Sequence, residues 1–246
     1  MNKIFYNNKV LNEQERMKLC EVADDADRNF AESIDGMHEW AEKVASNENK
    51  GFRTIEREFI DISIFVAYCY CDISLMTKQF MQSNNSYEKS FLRGKLKVLL
   101  NESFKKLYGF SKTAQCNSYF ARLKKLGALF PQFSSEIQVF EKELHEYSIK
   151  DTWWKDERDA EVHWDIEKLY QYRHEEVNES KVMMEAHFMI SILYRVNFFI
   201  ATLHKAFIAS LPIKDWVYQS SMDEWNIFSL RLFANIFNEG EEILSK

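Results

Sequence analysis

Glycine and proline are scarce, at 6 and 2 residues of 246. Sheets depend on tight turns built from Gly, Pro, Asn and Asp, so a β-sandwich of this length would need many more of them. Doubly wound α/β folds need glycine after their strands. Both architectures are set aside, and helices remain.

Motifs are missing as well. The chain has no Gly-x-Ser-x-Gly elbow and no glycine-rich phosphate loop, which argues against hydrolase-fold and ATP-dependent chemistry. Neither Glu-x-x-His nor His-Glu-x-x-His occurs, so no metal and no cofactor are expected. The four cysteines, Cys20, Cys69, Cys71 and Cys116, form no CxxC pair and fall on apolar helical faces. They read as reduced thiols of a cytoplasmic protein. The N-terminus reaches charged residues before a signal-like apolar run develops. The greasiest stretches, Ile62–Cys71 and Met189–Leu203, fall short of the roughly 20 apolar residues of a membrane span. No membrane association is expected.

Core-forming residues are plentiful. Hydrophobic residues make up 46% of the chain and aromatics 15%, with 20 Phe, 11 Tyr and 6 Trp, so a large core can form without disulfides. The expected fold is an all-α bundle with two long central helices, Arg53–Ser83 and Asn178–Ser210, and several shorter flanking ones. A first helix is expected from Asn12 to Ser46 with a break at Asp35-Gly36. Further helices are expected from Ser86 to Tyr108, from Ser111 to Gly127, from Ser134 to Tyr147, from an Asp151 cap to His163, and from Ser221 to Ile243. Phe198 is assigned to the core. With no repeat or Gly/Ser linker, residues 1–246 read as a single domain, and 1–50 as a helical extension to it.

One segment concentrates unusual residues: Trp153-Trp154-Lys-Asp-Glu-Arg158-Asp159-Ala-Glu-Val-His163-Trp164-Asp165. Tryptophans interleaved with charges are costly on a merely solvated face. An imidazole titrates near neutral pH and can take or give a proton. A guanidinium offers a planar fork that suits a phosphate gaining charge in a transition state. RNA brings its own nucleophile in the 2′-hydroxyl. Five positions along a helix turn Arg158 and His163 about 140° apart, whereas Asp159 and His163 share a face. The bland alternative is a helix end in which His163 complements the dipole and Arg158 pairs with neighbouring carboxylates.

The stretch Arg158-Asp159-x-x-x-His163 resembles the R-[N/D/H]-x-x-x-H motif of HEPN domains, on a late helix of an all-helical chain. The resemblance covers these six residues and the general helical layout. It implies a homodimeric, metal-independent endoribonuclease of toxin or host-defence type, with Arg158, Asp159 and His163 in a cleft shared by two copies. An antitoxin or regulatory protein is an implied partner. The alternative is a non-catalytic helical interaction or regulatory protein that dimerises through its Trp-rich segment.

Charge adds a second feature. The chain carries 32 Lys and Arg against 38 Asp and Glu, a net charge of −6. Between Lys89 and Lys125, however, ten cations face the single acid Glu102. A basic stretch in an acidic chain can hold a phosphate backbone. Lys105, Lys106, Arg122, Lys124 and Lys125 are the candidate RNA-binding residues, with Tyr108, Tyr119 and Phe120 placed to stack on bases.

Overall fold

A computed structural model describes residues 12–149 and 155–211. Among them every regular element is helical: α1 Glu13–Ala45, α2 Lys50–Gln82, α3 Ser86–Leu107, α4 Lys112–Cys116, α5 Tyr119–Gly127, a 3₁₀ turn Pro131–Phe133, α6 Ser134–Ile149, α7 Lys155–His163, α8 Ile166–His174 and α9 Glu179–Ala209. Trp153, Trp154, the expected Asp151 cap and the expected Ser221–Ile243 helix lie outside the described residues.

Local chemistry sets most boundaries. Asn12 starts α1 with a capping box: its side chain accepts from the Glu15 amide, and the Glu15 carboxylate accepts from the Asn12 amide, each at 3.0 Å. Asn49, Asn85, Ser118, Asp165 and Asn178 cap α2, α3, α5, α8 and α9 with a side-chain oxygen that accepts from a first-turn amide. At the end of α3 the chain turns out through Gly109 at φ +91, a conformation that favours glycine.

Three expectations are corrected. The helix from Glu13 to Ala45 runs unbroken through Asp35-Gly36, because its inner face of Phe30, Ile34, Met37, Trp40 and Val44 is buried on both sides of the glycine. The segment from Ser111 to Gly127 is two helices, since Ser118 starts α5 with its own cap. Phe198 is half exposed on the outer side of α9, and its neighbour Phe199 takes the core position.

The core is built on α2. Its residues Phe59, Ile60, Ile62, Tyr70, Ile73 and Phe80 are essentially without solvent contact, while Tyr68 and Leu75 point outward. Helix α1 packs along α2, and α3 and α9 flank it. By length and composition alone α2 and α9 could each cross a membrane; here 56% and 50% of their most apolar windows are buried inside the fold. At one end of the bundle a fully buried polar contact joins three helices. Trp40 Nε1 donates to Glu56 Oε1 at 3.0 Å, and His204 Nε2 lies 2.9 and 3.0 Å from the two Glu56 oxygens. The other end is tied by Arg16 and Lys89, which both pair with Glu179 at the start of α9.

Candidate functional site

Helices α7 and α8 form a hairpin laid across α3, and it carries the Arg–His pair. Only Ala160 among the apolar residues of α7 is buried. Charge supplies the rest of the docking. Lys97 donates to Glu157 at 2.6 Å, Glu161 pairs with Lys95 at 3.2 Å and with Arg173 at 2.5 Å, and Arg93 and Ser90 both donate to the Tyr172 carbonyl. Gly94 permits this approach, since a methyl group there would overlap the Glu161 carboxylate.

Arg158 turns inward toward α3. Its Nε donates to Glu102 Oε1 at 3.1 Å, Nη2 donates to the same oxygen, and Nη1 donates to Asp159 Oδ1 at 2.7 Å. Burial raises the Glu102 carboxyl, but hydrogen bonds from Arg158 and Lys105 outweigh it and hold the group below its ordinary value. Asp159 is lowered first by the hydrogen bond from Arg158, with smaller contributions from the charges of Arg158, His163 and Lys155.

His163 is exposed in the last turn of α7 and makes no hydrogen bond among the described residues. The Asp159 carboxylate, expected on the same face of the helix, accepts a hydrogen bond from Arg158. The two motif side chains therefore point to different sides of α7, as a five-residue separation requires.

Directly after His163 the chain turns through Trp164, at φ +53 the sole non-glycine with positive φ among the described residues. The Asp165 amide closes the helix end on the Ala160 carbonyl at 3.2 Å, while the Asp165 side chain accepts from the Lys168 amide to start α8. A bulky residue in this conformation stores roughly 1–2 kcal/mol. Trp164 is 73% exposed, and Val162, Ile166 and Tyr170 beside it in sequence are exposed too.

The basic stretch proves uneven. Seven of its ten cations meet carboxylates: Lys89 with Glu179, Arg93 with Glu175, Lys95 with Glu161, Lys97 with Glu157, Lys105 with Glu102, Arg122 with Glu58 and Asp61, and Lys124 with Glu141. Lys106, Lys112 and Lys125 form no ion pair among the described residues. Of the aromatics placed to stack on bases, Tyr108 and Phe120 are buried, which corrects that expectation. Tyr119 is half buried, stacked on Phe65 at 4.0 Å with the Arg122 guanidinium 5.2 Å from its ring centre.

Sequence reasoning did not find the role of Glu102, although a lone acid in a run of ten cations was a usable signal. Among the described residues no group of three or more His, Cys, Asp or Glu is placed to share a metal ion. Burial pushes the Cys69 thiol up to about 12 and the His187 imidazole down to about 4, so both are neutral at pH 7. In comparison with known proteins, no family, no curated protein and no solved structure matches this chain.

Proposed function

We propose that this protein is a HEPN-like, metal-independent endoribonuclease of toxin or host-defence type, working as a cytoplasmic homodimer. The observation that carries the reading is a solvent-exposed His163 on the same short surface helix as the hydrogen-bonded Arg158 and Asp159. His163 acts as general acid/base, and Arg158 holds the scissile phosphate. A phosphate approaching Arg158 takes the place of Glu102 or Asp159, which makes the guanidinium's release from its carboxylates part of substrate binding. The lysines at the ends of α3 and α5, Lys105, Lys106, Lys124 and Lys125, hold the RNA backbone alongside Arg122.

Cleavage of RNA but not of DNA of the same sequence, with 2′,3′-cyclic phosphate ends and no effect of EDTA, tests the reading. Mixed dimers of Arg158→Ala with His163→Ala sharpen it, because a composite cleft keeps one Arg and one His. Wild-type cleavage rates in either mutant homodimer overturn the mechanism.

One observation favours a second reading. The exposed Val162, Trp164, Ile166 and Tyr170 suit a protein-binding surface, with or without catalysis. A well-folded wild type without nuclease activity on any RNA would leave that reading ahead.

A further inference from the structure

Helix α2 makes aromatic contacts with three other helices. Tyr70 stacks on Phe30 of α1 at 4.6 Å, Phe59 meets His204 and Phe207 of α9 at 5.0 and 5.9 Å, and Phe65 stacks on Tyr119 of α5 at 4.0 Å. At about 100° per residue, these contacts lie roughly 100–240° round the helix from Ile64. Tyr68 and Leu75 fall within about 40° of Ile64, on the side that those contacts leave open. They are 49% and 43% exposed, and Ile64 is half-buried. An apolar stripe in the middle of a central helix is a surface built to be covered.

The described chain ends at Leu211, and residues 212–246 lie outside it. In their sequence Trp225, Phe228, Leu232 and Ile236 recur at i, i+3, i+7 and i+11, the spacing of one helix face, with Asp223, Glu224 and Arg231 off that face. We infer that residues 221–243 of the same chain cover the open side of α2, setting this apolar spacing against Ile64, Tyr68 and Leu75.

Reach decides between this segment and a second copy. Phe207 lies against Phe52 as well as Phe59, so α9 delivers the chain beside the first turns of α2. Ile64 is about 18 Å further along the helix, and residues 212–220 can span about 30 Å, enough for that rise and for passage round a helix about 10 Å across. The stripe from Ile64 to Leu75 is about 16 Å long, within the roughly 34 Å that residues 221–243 would cover as a helix. So short a tether holds the segment at a millimolar effective concentration, above that of any second copy in a micromolar solution. The inference needs neither Arg158 nor His163, so it stands or falls apart from the nuclease reading.

The test is hydrogen–deuterium exchange of the full chain, read by mass spectrometry on peptides from residues 221–243. Their amides should be protected in the wild type. Tyr68→Lys/Leu75→Lys should speed their exchange at least about tenfold while the α9 peptides keep their rate. The reciprocal variant Trp225→Asp/Leu232→Asp should raise the rate at which Cys71, on the same side of α2 between Tyr68 and Leu75, reacts with a maleimide, with the exposed Cys116 as reference. That measurement decides the matter even if the lysine pair does not fold. Free exchange of residues 221–243 in the wild type, or Cys71 labelling unchanged in the aspartate variant, overturns the inference. So does protection that survives the lysine pair but is lost in Phe198→Lys or in Ile166→Lys/Tyr170→Lys, which would place the segment on α9 or on the α7–α8 hairpin. Protection that falls on dilution would make the occupant a second copy, and overturns it too.

Discussion

Arg158 of α7 and Glu102 of α3 are joined through a single carboxylate oxygen, Oε1, which accepts from both Nε and Nη2 of the guanidinium. Lys105 lies 3.3 Å from the other oxygen, so Glu102 links the Arg–His helix to the lysines at the end of α3. Replacing Glu102 by Gln should loosen its hold on Arg158, and RNA should bind more tightly, with filter-binding or anisotropy titrations as the readout. Weaker RNA binding in this variant would show that Glu102 positions Arg158 instead of competing for it.

The same contact gives a pH dependence. Glu102 and Asp159 both have carboxyls held below their ordinary values of 4.5 and 3.8. A carboxyl lowered on folding contributes stability that is complete above its unfolded value and is lost as pH falls through its folded value. Arg158→Ala should therefore lower the melting temperature by a constant amount at pH 6–8, equivalent to about 1 kcal/mol after solvent screening. The gap to wild type should close once the pH drops below 3.8. A gap that persists at lower pH would assign the loss to packing of the arginine stem.

His163 is exposed and without a hydrogen bond among the described residues, so His163→Ala should leave the melting temperature within about 1 °C of wild type. On the proposed mechanism, loss of general acid/base assistance should lower RNA cleavage by roughly 10² to 10⁴. Quenched-flow or gel assays on single-turnover cleavage decide it.

Core and surface phenylalanines should separate cleanly. Phe140 is fully buried beneath the Arg195 guanidinium and against Phe120 and Phe199. Phe140→Ala should cost about 3–5 kcal/mol in chemical denaturation, and Phe198→Ala less than about 1 kcal/mol. Glu56→Ala should also cost about 3–5 kcal/mol, because it strips the carboxylate partner from buried Trp40 and His204.

Trp164→Gly should raise stability by up to about 1 kcal/mol, since glycine takes the left-handed conformation without strain. If the exposed tryptophan belongs to an interface, the same variant loses self-association in sedimentation. A gain in stability with unchanged association would mean that Trp164 contributes nothing to assembly.

Much of the architecture was legible in the sequence. Asn12, Ser111 and Asn178 were visible as caps because an Asx or Ser side chain at a helix start has one mechanical role. The central helices were visible from apolar residues nearly all round. The break at Asp35-Gly36 was misjudged because a glycine costs a helix only about 1 kcal/mol, which burial on both sides outweighs. Phe198 was misassigned because the periodicity of α9 cannot tell which of two adjacent phenylalanines faces α6.

The motif residues were visible, but their partners were not. Glu102 meets Arg158 across 56 positions of chain, and no local pattern encodes such a meeting. For the same reason the sequence could not show that most cations of the basic stretch meet carboxylates from other helices.

The α7–α8 hairpin, held to α3 by ion pairs and carbonyl contacts with one buried alanine beneath α7, has a consequence for its lifetime in place. Apolar burial commits a helix to the global unfolding transition, whereas docking with little apolar burial lets a segment open on its own. Backbone amides of α7 and α8 should exchange with deuterium far sooner than those of α2. On that expectation the helix bearing Arg158 and His163 opens as a unit of its own, and the balance of its opening and reclosing sets how often the guanidinium stands free of Glu102.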